Sequence, residues 1–172
     1  YVIVPLLDLL CGKVVTRFTS DEQARLGRDK MLRAIPWACG VTWLATLFWA
    51  LAMLPQVLAL PLIHVAGFVV SLGVVGGILA INVAHELIHR NNRTERFFGG
   101  VLLASVCYGV FKVEHVRGHH LRVATADDPA SARSGESVYA FVPRSIVGTY
   151  SHGWRIEAER LKRVGVSGAA AI

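Results

Sequence analysis

Two short groups of histidines are the residues of this 172-residue chain best suited to chemistry. His85 and His89 form the first group, and His115, His119 and His120 form the second. Residues four positions apart share one face of an α-helix, about a turn from each other. Each group therefore aims two imidazoles at one point, and His120 adds a third from a neighbouring direction. Imidazole binds zinc, copper, iron and nickel, so the spacing predicts a metal centre without selecting the metal.

The first group also has a second interpretation. His85, Glu86 and His89 match the His-Glu-x-x-His pattern of zinc proteases, in which the glutamate is the general base. That pattern requires a third ligand and gives the second histidine group no role. A shared centre of five histidines is therefore the preferred interpretation, and the protease is kept as the alternative.

The elements that position these histidines are predicted to be membrane helices. The sequence is 53% hydrophobic and 17% charged, whereas about a quarter of the residues of a soluble domain are charged. Residues 34–54 and 57–84 form two long runs without charged side chains, and the Pro55-Gln56 pair between them is predicted to be a tight turn. Residues 1–10 are too few to cross a bilayer and are expected to be part of a further span. We therefore expect a single membrane domain over residues 1–172, truncated at both ends.

A third apolar run, residues 97–111, is too short to cross the membrane. A helix of 15 residues is about 22 Å long, against about 30 Å for the hydrocarbon core. Both ends of the run are flanked by basic residues, so we expect it to be re-entrant or interfacial, with both histidine groups on one side. Residues 141–164 mix apolar and basic positions and are predicted to form an amphipathic surface helix.

The net charge of +6 is explained by membrane topology. Lys and Arg accumulate in cytoplasmic loops, so the basic segments 13–33 and 90–96 place the histidine groups at the cytoplasmic face. No basic stretch alternates with stacking aromatics, and no nucleic-acid partner is expected. His64 precedes His85 by 21 residues, about 31 Å along a helix, so we expect it near the opposite membrane face. His152 is expected on the surface helix, and neither of these histidines is predicted to be a ligand.

The histidine groups and the tract after them resemble the alkane 1-monooxygenase family. The segment from His85 to Arg90 resembles its first histidine box, and the segment from Glu114 to His120 resembles its second. The first box is shared with xylene monooxygenases and with membrane fatty-acid desaturases and hydroxylases. Four other segments are similar to that family: Pro5-Leu-Leu-Asp8, Asp127-Asp-Pro-Ala130, Gly135-Glu-Ser137 and Pro143-Arg-Ser145.

The resemblance implies an all-α, integral-membrane bundle of six spans in the bacterial inner membrane, with its histidines at the cytoplasmic face. The implied reaction inserts one oxygen atom from O2 into a terminal C–H bond of an n-alkane drawn from the bilayer lipids. Electrons would come from rubredoxin and its NADH-dependent reductase. A third histidine box would lie beyond Ile172. The resemblance implies two non-haem iron ions, with these residues of the chain as ligands: His85, His89, His115, His119 and His120.

Neighbouring residues are given supporting roles. Asn82, one turn before His85, is predicted to hydrogen-bond a ligand histidine. Glu86 and Glu114 are predicted to do the same or to be solvated. The helix face that leads to His85 is predicted to line a hydrocarbon channel, with helix packing as the alternative. Its residues are Ser71, Val74, Ile78 and Ile81.

Two other functions remain open from the sequence. The first is a related di-iron fatty-acyl desaturase or hydroxylase, or a xylene-type monooxygenase. The second is a membrane metal-binding protein without redox chemistry. A transporter would place ionisable residues near the bilayer midplane, whereas the middles of both long runs are uncharged. This pattern favours an enzyme with its site at the membrane edge.

Overall fold

The computed structural model describes residues 3–12 and 18–165, and within them all regular structure is helical. The predicted all-α class is therefore confirmed. The chain divides into two units, Tyr1–Ile35 and Pro36–Ile172. Both histidine groups belong to the second unit.

The first unit holds two short helices, α1 (Ile3–Cys11) and α2 (Ser20–Leu26). The N-terminus of α2 is a capping box. The Thr19 hydroxyl accepts from the Glu22 N–H at 3.3 Å, and the Glu22 carboxylate accepts from the Thr19 N–H at 2.8 Å. Two backbone donors at the helix start are thereby satisfied. The predicted partial span overlaps α1, and residues 1 and 2 lie outside the described residues.

The first long helix, α3 (Lys30–Leu58), has 29 residues and continues through Pro55. The predicted turn at Pro55-Gln56 is therefore wrong, and the chain turns at residues 59–61 instead. Proline removes one N–H donor from a helix. Because Pro55 lies three residues before the end of α3, the helix loses one backbone hydrogen bond in its last turn and the preceding turns are unaffected. Pro61, with φ −54° and ψ 147°, then precedes the first turn of the next helix.

A continuous helical rod, Leu62–Ile88, carries the first histidine group. It consists of α4 (Leu62–Gly76), a first π-helical segment (Gly77–Asn82) and α5 (Val83–Ile88). Both α3 and this rod are long and apolar enough to cross a membrane, and most of their apolar side chains are exposed in the described chain. Exposed apolar helices of this length suit a lipid environment.

The third apolar run is not one helix. α6 (Arg93–Ser105) ends just before Cys107, which has a left-handed φ of 57°, and α7 (Val110–Glu114) follows this turn. A non-glycine residue with positive φ leaves the helical conformation, so the backbone changes direction there. The re-entrant or interfacial position of residues 97–111 stays a prediction.

The second histidine group begins in a second π-helical segment, His115–His119, which α8 (His120–Arg122) follows. A loop then leads to α9 (Val138–Arg163). The Ser137 hydroxyl caps α9 by accepting from the Ala140 N–H at 3.3 Å. The predicted surface helix thus begins three residues earlier than expected. One side of it is buried against α7 and the second π-helical segment.

The buried core of the second unit joins α3, the rod and α6. Trp43 on α3 donates its indole N–H to the Ser105 hydroxyl at 2.8 Å. Leu87 on the rod packs with Leu102 and Leu103 of α6, and all three are fully buried. Burying a leucine side chain contributes about 1.5–3 kcal/mol. This packing holds the histidine-bearing end of the rod against α6.

Candidate metal centre

The Nε2 atom of His115 lies at the centre of the histidine cluster. It is 2.8 Å from Nε2 of His85, 3.1 Å from Nε2 of His89 and 3.1 Å from Nε2 of His120. The structure therefore brings four of the five predicted ligands together. His85, His89 and His115 alone offer three nitrogen atoms within 4.8 Å of one another.

Hydrogen bonding does not account for these distances. A neutral imidazole nitrogen carries either one hydrogen or one lone pair, so Nε2 of His115 makes one linear hydrogen bond at most. Three nitrogens approach it within 3.1 Å. Metal–nitrogen bonds of about 2.0–2.1 Å place neighbouring ligand nitrogens roughly 3 Å apart. The cluster therefore has the dimensions of a metal site.

The second histidine group has a different spacing from the one predicted. The His120 N–H donates to the His115 carbonyl, five residues back, as in a π-helix. The extra residue in this turn brings Nε2 of His120 beside Nε2 of His115, while the His119 ring stacks on the His115 ring with centroids 5.3 Å apart. That His115 and His119 bind the same metal centre stays a prediction.

His119 is held by the carboxylate of Asp128, for which no sequence pattern indicated a role. Its Nδ1 lies 2.8 Å from Oδ2 of Asp128, whose side chain is completely buried. The Ser131 hydroxyl and the Ala130 N–H donate to the same carboxylate at 2.5 and 3.0 Å. Burial acts to raise the pKa of Asp128, but these hydrogen bonds outweigh it and lower that pKa. When Nδ1 of His119 donates to Asp128, its Nε2 keeps the lone pair that binds a metal.

The electrostatic environment keeps the central imidazole uncharged. Burial lowers the pKa of His115 to about 4, and the surrounding histidines act in the same direction. Burial, together with His85 and His120, also lowers the pKa of His89. Histidine binds metals in its neutral form. The surroundings of His115 and His89 therefore favour the neutral form that binds a metal.

Two structural features orient the rings. The Phe111 ring stacks on His115 with centroids 4.7 Å apart and planes at 15°, so α7 supplies an apolar wall. The first π-helical segment ends at Asn82, three residues before His85. π-Helical turns inside α-helices are frequent at functional sites. Each histidine group is thus associated with one such turn.

A profile of the fatty acid desaturase family matches residues 62–170, which include both histidine groups. The chain belongs to the fatty acid desaturase family. Together with the two long apolar helices, this membership identifies a membrane protein.

Individual relatives of this desaturase-family chain are alkane monooxygenases. It is 42% identical over 164 residues to alkane 1-monooxygenase 2 of Alcanivorax borkumensis, covering 95% of the chain and 43% of the relative. It is 38% identical over 165 residues to alkane 1-monooxygenase 2 of Pseudomonas aeruginosa, covering 95% and 44%. The xylene/toluene monooxygenase hydroxylase component of Pseudomonas putida is 35% identical over 107 residues, covering 61% and 28%. The resemblance to alkane 1-monooxygenases is confirmed, and the chain spans less than half the length of these relatives.

The three predicted supporting residues do not hydrogen-bond to the histidine cluster in this desaturase-family chain. The exposed Asn82 side chain makes no hydrogen bond to any residue that the structure describes. Glu86 pairs with Arg90 at 3.0 Å. Glu114 is 1% exposed, not solvated, and lies 3.0 Å from Nδ1 of His152. Side chains of consecutive helix residues point about 100° apart. Glu86 and Glu114 are next to predicted ligands in sequence, but their side chains therefore point away from the cluster.

The two histidines predicted to lie outside the cluster do so, although one has unexpected surroundings. His64 is in the first turns of the rod and exposed, at the end away from His85. His152 lies on the helix predicted for it, but its side chain is buried, with 7% exposed. Its helix, α9, turns that side chain towards Glu114.

The predicted channel residues divide between two locations. Ser71, Val74 and Ile78 are exposed on the outer side of the rod. Ile81 is half-buried and lines a cleft of about 420 Å³, together with Trp43 on α3. A role for these residues in a hydrocarbon channel stays a prediction.

Proposed function

We propose that this chain is part of a membrane di-iron monooxygenase that hydroxylates the terminal carbon of n-alkanes to primary alcohols. The observation that carries the proposal is the approach of three imidazole nitrogens to Nε2 of His115 within 3.1 Å. The names of the alkane 1-monooxygenase relatives support the substrate class. The oxidant is O2, and rubredoxin with its NADH-dependent reductase supplies the electrons.

The donor set fits iron. Imidazole is a ligand of non-haem iron, and four Nε2 atoms converge here while the contact with Asp128 leaves Nε2 of His119 free. When bound, iron supplies the O2 activation that attack on an unactivated C–H bond requires. We assign two iron ions to these residues of the chain: His85, His89, His115, His119 and His120.

The contribution of the protein itself is the orientation of the imidazole rings. Asp128 fixes the ring of His119, and Phe111 packs on the ring of His115. Fully buried leucines lie on the rod and on α6 beside this end of the bundle.

We place the path of the hydrocarbon along the outer side of the rod. Val74 and Ile78 are each 57% exposed, and Ser71 precedes them by about one turn. An alkane dissolves in the bilayer core and reaches this side without passing through water. The cleft that Ile81 lines with Trp43 offers an apolar volume beside this path.

We further propose that the chain lies in the bacterial inner membrane with its histidine cluster at the cytoplasmic face. The basic segments 13–33 and 90–96 support this orientation through the positive-inside rule. A cluster at this face is within reach of rubredoxin in the cytoplasm.

A second substrate class has its own support. The relative named a xylene/toluene monooxygenase component matches 61% of the chain at 35% identity. Toluene is therefore the alternative substrate to compare with an n-alkane. Because the identity to alkane 1-monooxygenases extends over 95% of the chain, the alkane is the preferred assignment.

The test uses the purified full-length enzyme of which this chain is a part, with rubredoxin, its reductase and NADH. Alcohol formation from an n-alkane and from toluene is measured by gas chromatography, and bound iron by elemental analysis. His115→Ala should abolish alcohol formation and lower bound iron, because it removes the central nitrogen of the cluster. The matched control His64→Ala should do neither, because His64 lies 21 residues before His85 on the rod.

Three outcomes would contradict parts of the proposal. Equal loss of iron in both variants would contradict the placement of His64. Unchanged iron in both variants would contradict the metal centre. Conversion of toluene without conversion of any n-alkane would contradict the alkane as substrate.

A further inference from the structure

His152 on α9 bridges the two residues that flank the second histidine group. Its Nδ1 lies 3.0 Å from Oε1 of Glu114, directly before His115. Its Nε2 lies 2.6 Å from a guanidinium nitrogen of Arg122, two residues after His120. One buried imidazole therefore connects both ends of the segment that carries three of the proposed ligands.

The partners determine which nitrogen of His152 carries the hydrogen. A guanidinium group donates and does not accept, so Nε2 of His152 accepts from Arg122. Nδ1 then carries the hydrogen and donates to Glu114. Among the described residues, no buried side-chain nitrogen or oxygen lacks a hydrogen-bond partner, and buried polar networks are most specific when all members are satisfied.

Gly118 provides the space for this bridge. A Cβ atom at this position would lie 2.6 Å from Oε1 of Glu114 and 3.0 Å from Cε1 of His152. The imidazole of His152 and the carboxylate of Glu114 therefore lie directly against the backbone of the second π-helical segment. The contact is with the turn itself and not only with its two ends.

The conformation of this turn decides where His120 points. In a regular α-helix, residues five positions apart point about 140° away from each other. The His120 N–H instead donates to the His115 carbonyl, and the two Nε2 atoms lie 3.1 Å apart. Reversion to α-helical hydrogen bonding would separate these two rings.

We propose that His152 is a positioning residue that holds the His115–His119 turn in its π-helical conformation, and thereby keeps His120 beside His115. The role rests on the proposed metal centre and requires no contact between His152 and the metal. The carboxylate and guanidinium on either side of the turn cannot move apart or rotate without losing the imidazole that joins them.

The test measures metal binding with Co²⁺, whose visible absorption reports the geometry of its ligands, alongside bound iron. His152→Ala, in the purified membrane protein, should weaken Co²⁺ binding by about 10- to 100-fold, as loss of groups that orient ligands commonly does, and should change the absorption bands. His152→Asn retains a donor near Nδ1 and should recover part of the affinity. Arg122→Met removes the second contact and should also change the bands.

The matched control is Tyr150→Phe. It removes a hydrogen bond from α9 to the Cys107 carbonyl, outside the histidine-bearing turn, and should leave Co²⁺ affinity and absorption unchanged. If His152→Ala fails to fold by circular dichroism, Arg122→Met and His152→Asn carry the test. Unchanged absorption in the folded variants, or an equal change in Tyr150→Phe, would overturn the role of His152. Absence of Co²⁺ and iron from the unsubstituted protein would overturn the metal centre itself, and the role with it.

Discussion

The Nδ1 atom of His119 lies 2.8 Å from Oδ2 of Asp128, which has no exposed side-chain surface. A buried carboxylate that accepts from one imidazole nitrogen fixes the ring and directs the other nitrogen to a metal. The ring of His119 is therefore held by Asp128. The position of His120 is determined instead by the π-helical turn.

Replacing Asp128 by Asn should lower metal affinity by about 10- to 100-fold, because the ionised acceptor for His119 is lost. Asp127→Asn is the matched control, since that neighbouring carboxylate is exposed and makes no hydrogen bond to the described histidines. Co²⁺ titration of the purified protein measures both. Equal affinities in the two variants would show that Asp128 does not support His119.

Gly76→Ala should destabilise the packing of the rod against α3. A Cβ atom at Gly76 would lie 2.9 Å from the rigid ring of Trp43, whereas one at Gly73 would meet nothing within 4 Å. Overpacking of this kind typically reduces stability by about 1–3 kcal/mol. Thermal unfolding in detergent should show a lower Tm for Gly76→Ala and little change for Gly73→Ala. A Tm for Gly76→Ala equal to that of the control would contradict the close approach.

Low pH should weaken the ion pair that attaches the loop before α9 to α9 itself. The Arg144 guanidinium bonds to Glu136 at 2.6 Å and holds the pKa of that carboxyl at about 2. A carboxyl whose pKa is lower in the folded state stabilises the fold above its unfolded pKa of about 4.5, and this stabilisation disappears as pH falls towards 2. The Tm difference between the unsubstituted protein and Glu136→Gln should therefore be largest above pH 5 and should disappear as the pH falls through 2. A difference independent of pH would contradict the ion pair.

Labelling should show that residues 97–111 do not cross the membrane. Single cysteines in place of the exposed Arg93 and Arg117 should both react with an impermeant reagent from the cytoplasmic side. The background variant replaces the three native cysteines, Cys11, Cys39 and Cys107, with serine. Reaction from opposite sides would mean that this run spans the bilayer, although His85 and His115 lie together at one end.

Part of this architecture follows from local sequence alone. Uncharged runs of more than 20 residues predict long helices, and two histidine groups at helix spacing predict a shared centre. The position of the chain reversal was less predictable, because a proline is compatible with either a turn or the last turns of a helix. α3 contains Pro55, and the reversal occurs just before Pro61.

The contacts around the cluster depend on tertiary structure. Asp128 stands nine residues after His119, in a loop whose path the sequence does not reveal. His152 stands 38 residues after Glu114 and meets it because α9 packs against α7. The spacing rule also assumed 3.6 residues per turn, and no local pattern indicated the π-helical turn that brings Nε2 of His120 to Nε2 of His115.

That turn makes the segment sensitive to length and tolerant in composition. Val116 and Arg117 are exposed and take no part in the cluster, so many side chains are acceptable at both positions. The wide turn already holds one extra residue, so a further residue inserted beside either of them would rotate everything that follows by about 100°. His120 and the path to Asp128 would both be displaced. In a collection of natural or selected variants, substitutions at these two positions should therefore be common, and single-residue insertions between His115 and His120 should be absent from active proteins.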